Sequence, residues 1–188
     1  MKNLIETTRE NMIGKWESIS GEVRPNPWGG KYFLKRYFDN KKDSANTNLV
    51  FYTDETYNVL NMTIQVKGPY HFVQPSEFAK GAVEADFEFS SIAVTPHNQA
   101  MVDMLNGMSA AYLKPWSINL TQQVDTPGHG IMGIIVGEYK EYDLVKVDGD
   151  LLYYGERPAD GSAPDKVEKR AKALQVPLKK VQEFSFKL

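Results

Sequence analysis

The sequence predicts a mainly β protein, built as an antiparallel β-barrel or a strongly curved sheet with one or two short helices. Between residues 13 and 155, short segments that alternate apolar and polar residues are separated by turn residues, which is typical of an antiparallel sheet with one buried face. About nine such segments follow one another, and this number favours a barrel or a sandwich. Only two segments show a helical pattern, so helices are expected to be a minor component.

The chain is predicted to begin with a short polar helical lead-in over residues 3–12. The strand pattern that follows is clearest over residues 62–72, where Met62, Ile64 and Val66 share one face of the strand. Turn residues such as Asp148-Gly149 separate neighbouring segments. The predicted strands are residues 14–23, 32–38, 49–53, 62–72, 83–89, 116–124, 131–137, 141–147 and 151–155.

The strand over residues 83–89 has apolar odd positions, among them Phe87 and Phe89. The even positions carry carboxylates. Because they recur every second residue, they are expected to form a solvated face rather than an acid and base pair for catalysis. These residues are Glu84, Asp86 and Glu88.

A second helix is predicted over residues 96–108, with Thr95 as its N-cap and Pro96 at its first position. Its apolar residues recur at spacings of three and four, which gives one apolar face that is expected to cover the sheet. That face consists of Met101, Met104, Leu105 and Met108.

The length of 188 residues fits one domain. We divide it into the lead-in at 1–12, a barrel core at 13–155 and a C-terminal segment at 156–188 that closes the barrel. Within that last segment, the dense charges at 165–172 predict a solvated loop or a frayed helix.

The composition argues against several function classes. The net charge is −2, from 22 basic and 24 acidic residues, which disfavours nucleic acid as a partner. No window is apolar enough for a membrane span, and the first residues lack the apolar core of a signal peptide. A cytoplasmic protein is therefore expected, unless a leader has been removed. The chain has no cysteine, which excludes disulfides and thiolate chemistry.

The motifs that usually indicate chemistry do not carry it in this sequence. Residues 128–133 spell GxGxxG, but a β-branched run follows instead of the helix that a dinucleotide site needs. The three histidines are scattered and lack the spacing of a zinc site. No nucleophile elbow and no phosphate-binding loop is present. The sequence therefore predicts no catalytic residue, no metal site and no cofactor.

Gly14-Lys15-Trp16 begins the first predicted strand, and Arg157 follows the last. This arrangement resembles that of lipocalin-type barrels, in which an arginine stacks on a tryptophan and closes one end of the barrel. Stacking of this kind contributes about 0.5 to 2 kcal/mol.

Further segments resemble, in the same order along the chain, the domain of the adenomatosis polyposis coli down-regulated family, the Wnt-inhibiting surface proteins of animals. The matching segments span about residues 14 to 178. They are Gly14-Lys15-Trp16-Glu17-Ser18, Glu22-Val23-Arg24-Pro25, Phe33-Leu34-Lys35-Arg36-Tyr37-Phe38, Tyr52-Thr53-Asp54, Gly81-Ala82-Val83-Glu84-Ala85-Asp86-Phe87, Glu141-Tyr142-Asp143-Leu144-Val145, Arg157-Pro158-Ala159-Asp160-Gly161-Ser162 and Gln175-Val176-Pro177-Leu178.

The resemblance implies an antiparallel barrel-like sheet with a hydrophobic pocket that accepts the fatty acyl chain of Wnt. This sequence departs from the family in lacking the family's disulfide cysteines. Gly21 stands just before Glu-Val-Arg-Pro, where a cysteine is usual, and Val181 follows the Pro-Leu end. We expect an intracellular microbial relative that keeps the fold without the Wnt role.

The leading hypothesis is a non-enzymatic binding protein for an apolar small molecule or a fatty acyl chain, held in the barrel. The alternatives are a protein-interaction module that exposes Trp28 or the methionine-bearing helix, and an enzyme that acts on an apolar substrate through His97 or Glu84. Each apolar candidate can equally be core, and the arginines can equally pair with Glu22, Asp54 or Glu84. The candidate ligand-binding residues are Trp16, Arg36, Met62, Ile64, Val66, Phe87, Phe89, Met101, Met104, Leu105 and Arg157.

Overall fold

Most of the chain forms antiparallel strands joined by short connections, as the alternating pattern predicts. The computed structural model describes residues 3–26, 29–108, 114–124, 130–131 and 134–186. Two α-helices are present, α1 (Leu4–Met12) and α2 (Gln99–Met108), with one short 3-10 turn at Val167–Lys169. The strands are β1 (Gly14–Ser18), β2 (Glu22–Pro25), β3 (Lys31–Asn40), β4 (Ser44–Tyr52), β5 (Leu60–Pro75), β6 (Val83–Glu88), β7 (Ser91–Pro96), β8 (Gln122–Gln123), β9 (Gly130–Ile131), β10 (Ile134–Ile135), β11 (Lys140–Asp148), β12 (Leu151–Tyr154) and β13 (Leu178–Val181).

Eight of these strands form a closed antiparallel barrel. The order around the ring is β1, β3, β4, β5, β6, β11, β12 and β13, and β13 pairs with β1 to complete it. A ring of eight strands leaves an interior that side chains can fill. The mainly β barrel with two short helices that the sequence predicts is therefore confirmed.

The sheet continues beyond the ring because two long strands each change partner along their length. The second half of β3 pairs with β1, and its first half pairs with β2. In the same way β5 pairs with β6 over its later residues and with β7 over Met62–Lys67. β8 then pairs with β7. These extra strands give the sheet a concave face that reaches past the closed ring.

Helix α1 packs against β5, β6 and β11. Asn3 caps it, because its side-chain oxygen accepts a hydrogen bond from the backbone N–H of Glu6. Met12 at the other end of the helix is fully buried in the barrel core, and its carbonyl accepts a hydrogen bond of 2.8 Å from Trp16 Nε1. The lead-in predicted at 3–12 is thus a helix, and it contributes to the core.

Helix α2 begins later than the sequence predicts. Thr95 and Pro96 are the last residues of β7, where they pair with Thr63 and Met62. Asn98 is the residue that caps the helix, since its Oδ1 accepts a hydrogen bond of 2.9 Å from the N–H of Met101. The prediction of Thr95 as N-cap and Pro96 as first helical residue is wrong, because strand pairing extends through both.

Three strand predictions also need correction. The segment predicted as one strand over 14–23 is interrupted after Ser18, and β2 begins at Glu22. Of the strand predicted over 116–124, only β8 forms. The strands β7 and β13 were not predicted, and β13 belongs to the ring itself.

The C-terminal segment is less solvated than its charges predict. The Arg170 side chain is mostly buried against the outer face of β6, where its nitrogens lie 3.4 Å from Glu84 and 2.7 Å from Asp86. The guanidinium also donates to the backbone carbonyls of Ala85 and Asp143. The predictions of a solvated tail and of a solvated acidic face are therefore wrong at these residues. Arg170 of the tail and the carboxylates of β6 pair with each other and shield each other from solvent.

Candidate functional site

The interior of the closed ring is filled by aromatic side chains. Trp16 and Tyr154 are buried there, and the Tyr154 ring stacks on Phe38 with 4.7 Å between ring centroids. Tyr70 and Phe87 pack beside them, with ring centroids 5.7 Å apart. Two of the predicted ligand-binding residues, Trp16 and Phe87, therefore lie in this core.

The cation above Trp16 is a lysine and not the predicted arginine. Lys180 on β13 lies opposite Trp16 in the strand register, and its Nζ is 5.1 Å from the centre of the indole ring. Arg157 instead pairs with Glu141 on β11 at 2.8 Å. The predicted stacking of Arg157 on Trp16 is wrong, although a cation on the last strand occupies the equivalent place.

Past the ring, the concave face of the sheet carries rows of side chains defined by the strand register. Residues directly opposite each other in antiparallel strands point to the same face. One row runs across β3, β4, β5 and β7 through Arg36, Leu49, Ile64 and Val94. The neighbouring row runs across β2, β3, β4 and β5 through Glu22, Leu34, Phe51 and Met62.

The apolar members of these rows differ in exposure. Leu34, Met62 and Val94 are buried, whereas Leu49, Phe51 and Ile64 are only partly buried. Part of the concave face is therefore apolar and accessible.

Helix α2 covers the far side of this face. Met101, Val102 and Leu105 are buried and belong to one cluster with residues of β5 and β7. Met104 is 41% exposed and Met108 is more exposed still, so the apolar face predicted for this helix is wrong at these two positions. The residues of β5 and β7 in the cluster are Met62, Val66, Ile92 and Val94, with Ile64 and Phe89 packed partly against it.

A cavity of about 360 Å³ lies where β2 meets the C-terminal segment. Arg24 of β2, Tyr32 of β3, Arg157 and Gln175 all line it. The Tyr32 ring lies 5.6 Å from the ring of Phe51, so the cavity adjoins the apolar rows of the concave face. Its remaining lining is Ser20, Gly21, Glu22, Val23, Pro25, Glu156, Pro158, Ala159, Gly161 and Val176.

An ion-pair network forms the floor of this cavity. Glu22 accepts from Arg36 Nε at 2.7 Å through one oxygen and from Arg24 Nη2 at 2.8 Å through the other. Burial disfavours the charge on Glu22, but the two guanidinium groups outweigh it and lower its pKa. Arg36 is nearly fully buried and also donates to the carbonyl of Val176, which ties the C-terminal segment to β3.

Arg157, which also lines the cavity, belongs to a second network through its ion pair with Glu141. Burial opposes the charge on Arg157, yet Glu141 raises its pKa above the ordinary value. Burial raises the pKa of Asp143, whose Oδ1 accepts from the backbone N–H groups of Leu144 and Gly155 at 2.7 Å. Ion pairs to Glu22 and Glu141 therefore orient the guanidinium groups.

The side chains considered for an enzyme lie elsewhere. His97 lies 2.8 Å from Thr63 Oγ1 through Nε2 and 2.8 Å from Asn119 Oδ1 through Nδ1. The Thr63 side chain is completely buried, and His97 itself is partly buried. Glu84 is paired with Arg170 on the outer face. Neither His97 nor Glu84 lines the cavity.

The predicted site residues thus separate into four places. Trp16 and Phe87 are in the ring, and Arg157 lines the cavity with Arg36 beneath it. Of the rest, Met104 is on the exposed side of α2, and the others belong to the concave face and the cluster under α2, namely Met62, Ile64, Val66, Phe89, Met101 and Leu105.

Sequence reasoning missed several residues that border this region. Leu49 and Phe51 alternate within the predicted strand 49–53, which could have placed them beside Ile64. Arg24 lies in a quoted family motif, and the sequence left open whether it pairs with an acidic residue or meets a ligand head group. Gln175 also lies in a quoted motif, and Tyr32 begins a predicted strand, but neither was selected as a site residue.

Other predictions concern features that the structure describes in part or not at all. Trp28 lies outside the described residues, as do most residues of the GxGxxG segment. Its described residues form β9, which pairs with β10 just after the segment as a small antiparallel hairpin. Within the described ranges, no cluster of three or more potential metal ligands occurs and no helix is long and apolar enough to cross a membrane.

The family model of adenomatosis polyposis coli down-regulated 1 matches residues 2–117. This match contains β1 to β7 and α2, including the rows of the concave face and the β2 side of the cavity. It covers more than half of the chain and includes the quoted motifs from Gly14 to Phe87. The chain therefore belongs to the adenomatosis polyposis coli down-regulated 1 family.

Proposed function

We propose that this protein binds a lipid-like apolar molecule on the concave face of its sheet. The observation that carries the proposal is the partial exposure of Leu49, Phe51 and Ile64 on that face. Small-molecule sites are concave and mainly apolar, with a few polar groups that orient the ligand. The rows beside α2 have this composition, and the arginine-lined cavity adjoins them through Tyr32.

The proposed place of binding is outside the closed ring, because aromatic side chains fill the ring interior. A ligand on the rows would lie along β3, β4 and β5, with α2 at one end and the cavity at the other. The predicted residues Ile64 and Met62 would then contact the ligand, whereas Trp16 and Phe87 would support the fold.

Titration with the neutral fluorescent probe Nile red tests this proposal. Ile64→Gln should weaken probe binding about tenfold, because it places an amide where burial of an apolar side chain contributes about 1.5 kcal/mol or more. Val73→Gln is the matched control, since Val73 lies on the outer face of the same strand and is 49% exposed. Equal binding by the two variants would contradict a site on the concave face.

A second candidate function is protein interaction through α2, favoured by the exposure of Met104 and Met108. Exposed methionines adapt to varied apolar partners. Native mass spectrometry of the freshly purified protein separates the candidates. A lipid mass that organic extraction removes supports ligand binding, and its absence together with failed probe binding favours the interaction module.

A further inference from the structure

The network on the cavity floor contains two guanidinium groups and one carboxylate. Arg36 and Arg24 share Glu22, one on each carboxylate oxygen, at 2.7 and 2.8 Å. The other partners of these arginines are neutral, being the Gln175 side-chain oxygen and the Val176 carbonyl. The cluster therefore holds one positive charge in excess, and Arg24 is its member that lines the cavity.

Arg157 brings a second guanidinium to the lining of the same cavity. Among the described residues, its hydrogen bond is made through Nη2 to Glu141, and the side chain remains 29% exposed. A guanidinium carries five N–H donors, so Arg157 keeps further donors for a group in the cavity. The ion pair with Glu141 fixes the orientation of the Arg157 guanidinium but uses only its Nη2.

We propose that the cavity between Arg24 and Arg157 receives the carboxylate of an amphipathic acid whose apolar part lies along Tyr32 and the rows of the concave face. The inference rests on the proposed function and names the class of ligand, a free long-chain carboxylic acid. It differs from the acyl chain of an ester or a lipidated protein, which has no free carboxylate.

The physical reason is charge and shape. A planar guanidinium matches a carboxylate with two parallel hydrogen bonds, and such charge-assisted bonds are stronger than neutral ones. A volume of about 360 Å³ suits a head group and the first carbons of a chain, since complete ligand sites extend to about 1,000 Å³.

A competition series tests the head group separately from the chain. Dodecanoic acid, methyl dodecanoate and 1-dodecanol share one alkyl length and displace Nile red from the intact protein at pH 7.5. We expect the acid to displace the probe at a concentration at least tenfold lower than the ester or the alcohol. High salt should reduce this preference, because an ion pair that reaches solvent is screened.

Arg24→Gln should remove the preference for the acid while displacement by the ester stays within about twofold. Lys35→Gln is the matched control, because Lys35 lies on the outer face of β3 near Tyr52 and Tyr57. If Arg24→Gln loses its β-type circular dichroism, Arg157→Gln supplies the same comparison without disturbing the pairs of Glu22.

The outcomes are distinguishable. Equal displacement by acid and ester in the unaltered protein would overturn the carboxylate site and leave the proposed function standing. A preference for the acid that survives in folded Arg24→Gln and Arg157→Gln would also overturn it, since the acid would then bind elsewhere. No displacement by any of the three compounds would overturn both proposals.

Discussion

Gly68 stands where β5 leaves β7 and begins to pair with β6. A Cβ atom at this position would lie 1.7 Å from the backbone oxygen of Glu88, and a backbone atom cannot move aside as a side chain can. In the same place Ser90 donates its backbone N–H to the carbonyl of Lys67. The close approach of these two backbone segments allows one strand to serve two partners.

Gly68→Ala should therefore lower the free energy of unfolding by about 3 kcal/mol or more, in the range of changes that force strain on a packed backbone. Urea denaturation followed by circular dichroism measures it. Gly107→Ala is the control, because nothing lies near a Cβ at that helical position, and it should raise stability by roughly 0.5 to 1 kcal/mol. A neutral Gly68→Ala would show that the strand crossing is looser than described.

Glu22 makes the stability of the fold depend on pH. Its carboxylate is largely buried, and Arg36 and Arg24 lower its pKa in the folded chain despite the opposing effect of burial. A carboxyl group whose pKa is lower in the folded state than in the unfolded state stabilises the fold at pH values above its unfolded-state pKa. That contribution is lost as the pH falls through the folded pKa.

Glu22→Gln should lower the free energy of unfolding at pH 7 by about 3 kcal/mol, since it leaves the buried Arg36 without its counter-charge. The difference from the unaltered protein should shrink as the pH falls below 4.5, the ordinary pKa of a glutamate, because Glu22 itself then becomes protonated. Urea titrations at pH 7 and pH 3.5 measure both effects. Glu183→Gln, at a side chain 87% exposed, should change stability by less than about 0.5 kcal/mol. A deficit of equal size at the two pH values would contradict this account.

Gly21 illustrates how the chain accommodates the absence of cysteine. The resemblance to the family places a cysteine at this position, but here the ring of Tyr57 covers the glycine. A Cβ would lie 2.0 Å from its ring carbon. Tyr57 also packs against Phe33 and Tyr52, so the space near a family cysteine is used by an aromatic cluster.

Among the elements, α2 differs most clearly between the apolar face predicted from residue spacing and the face that is buried in the structure. Leu105 and Met101 contact the sheet, whereas Met104 is exposed. Met108 lies one turn further along the exposed side. The actual buried face includes Val102, which the spacing of the methionines did not indicate.

Leu105→Ala should lower the free energy of unfolding by about 2 to 5 kcal/mol through loss of burial and the cavity left behind. Met104→Ala, one position earlier, should change it by less than about 0.5 kcal/mol, because exposed positions contribute little. Thermal or urea unfolding of the two variants compares them directly. Similar losses in both would mean that α2 packs through a different face.

Several elements could be predicted from the sequence because the alternation of apolar and polar residues within each strand reflects which of its faces is buried. The strands β5, β6, β11 and β12 alternate clearly, and each was found close to its true range. β13 could not be found this way, since two of its four residues are lysines and the Lys180 stem lies over Trp16. Its pairing with β1 depends on residues far away in the chain.

Contacts between segments that are distant in the sequence also limit prediction of the candidate site. Arg36 and Arg157 could be selected because they lie in family motifs, and Met62, Ile64 and Val66 because they alternate. Glu22, the partner of Arg24 and Arg36, was among the predicted partners, but Arg157 pairs with Glu141 and Arg170 takes Glu84. Charge pairs between distant segments leave no periodic pattern in the sequence.

At the scale of the whole molecule, the barrel is closed by strands from the two ends of the chain. β13 pairs with β1 on one side and with β12 on the other. Leu178 is fully buried in the core that the ring encloses. After β13, Phe184 and Phe186 cover an outer aromatic cluster that includes Tyr37 and Tyr52. We therefore expect the ring and this outer aromatic cluster to contribute separately to the stability of the fold.

Removal of residues 178–188 should abolish cooperative unfolding, because β1 and β12 would both become unpaired edges and the core would lose Leu178. Removal of residues 182–188 is the matched control. It keeps the ring intact, so it should unfold in a single transition at a lower urea concentration, as the aromatic cluster loses Phe184 and Phe186. Tryptophan fluorescence and far-ultraviolet circular dichroism, measured on the same samples, should give coincident transitions for the control and none for the longer deletion. A cooperative transition in the chain that ends at Pro177 would show that seven strands suffice and that β13 is not needed to complete the fold.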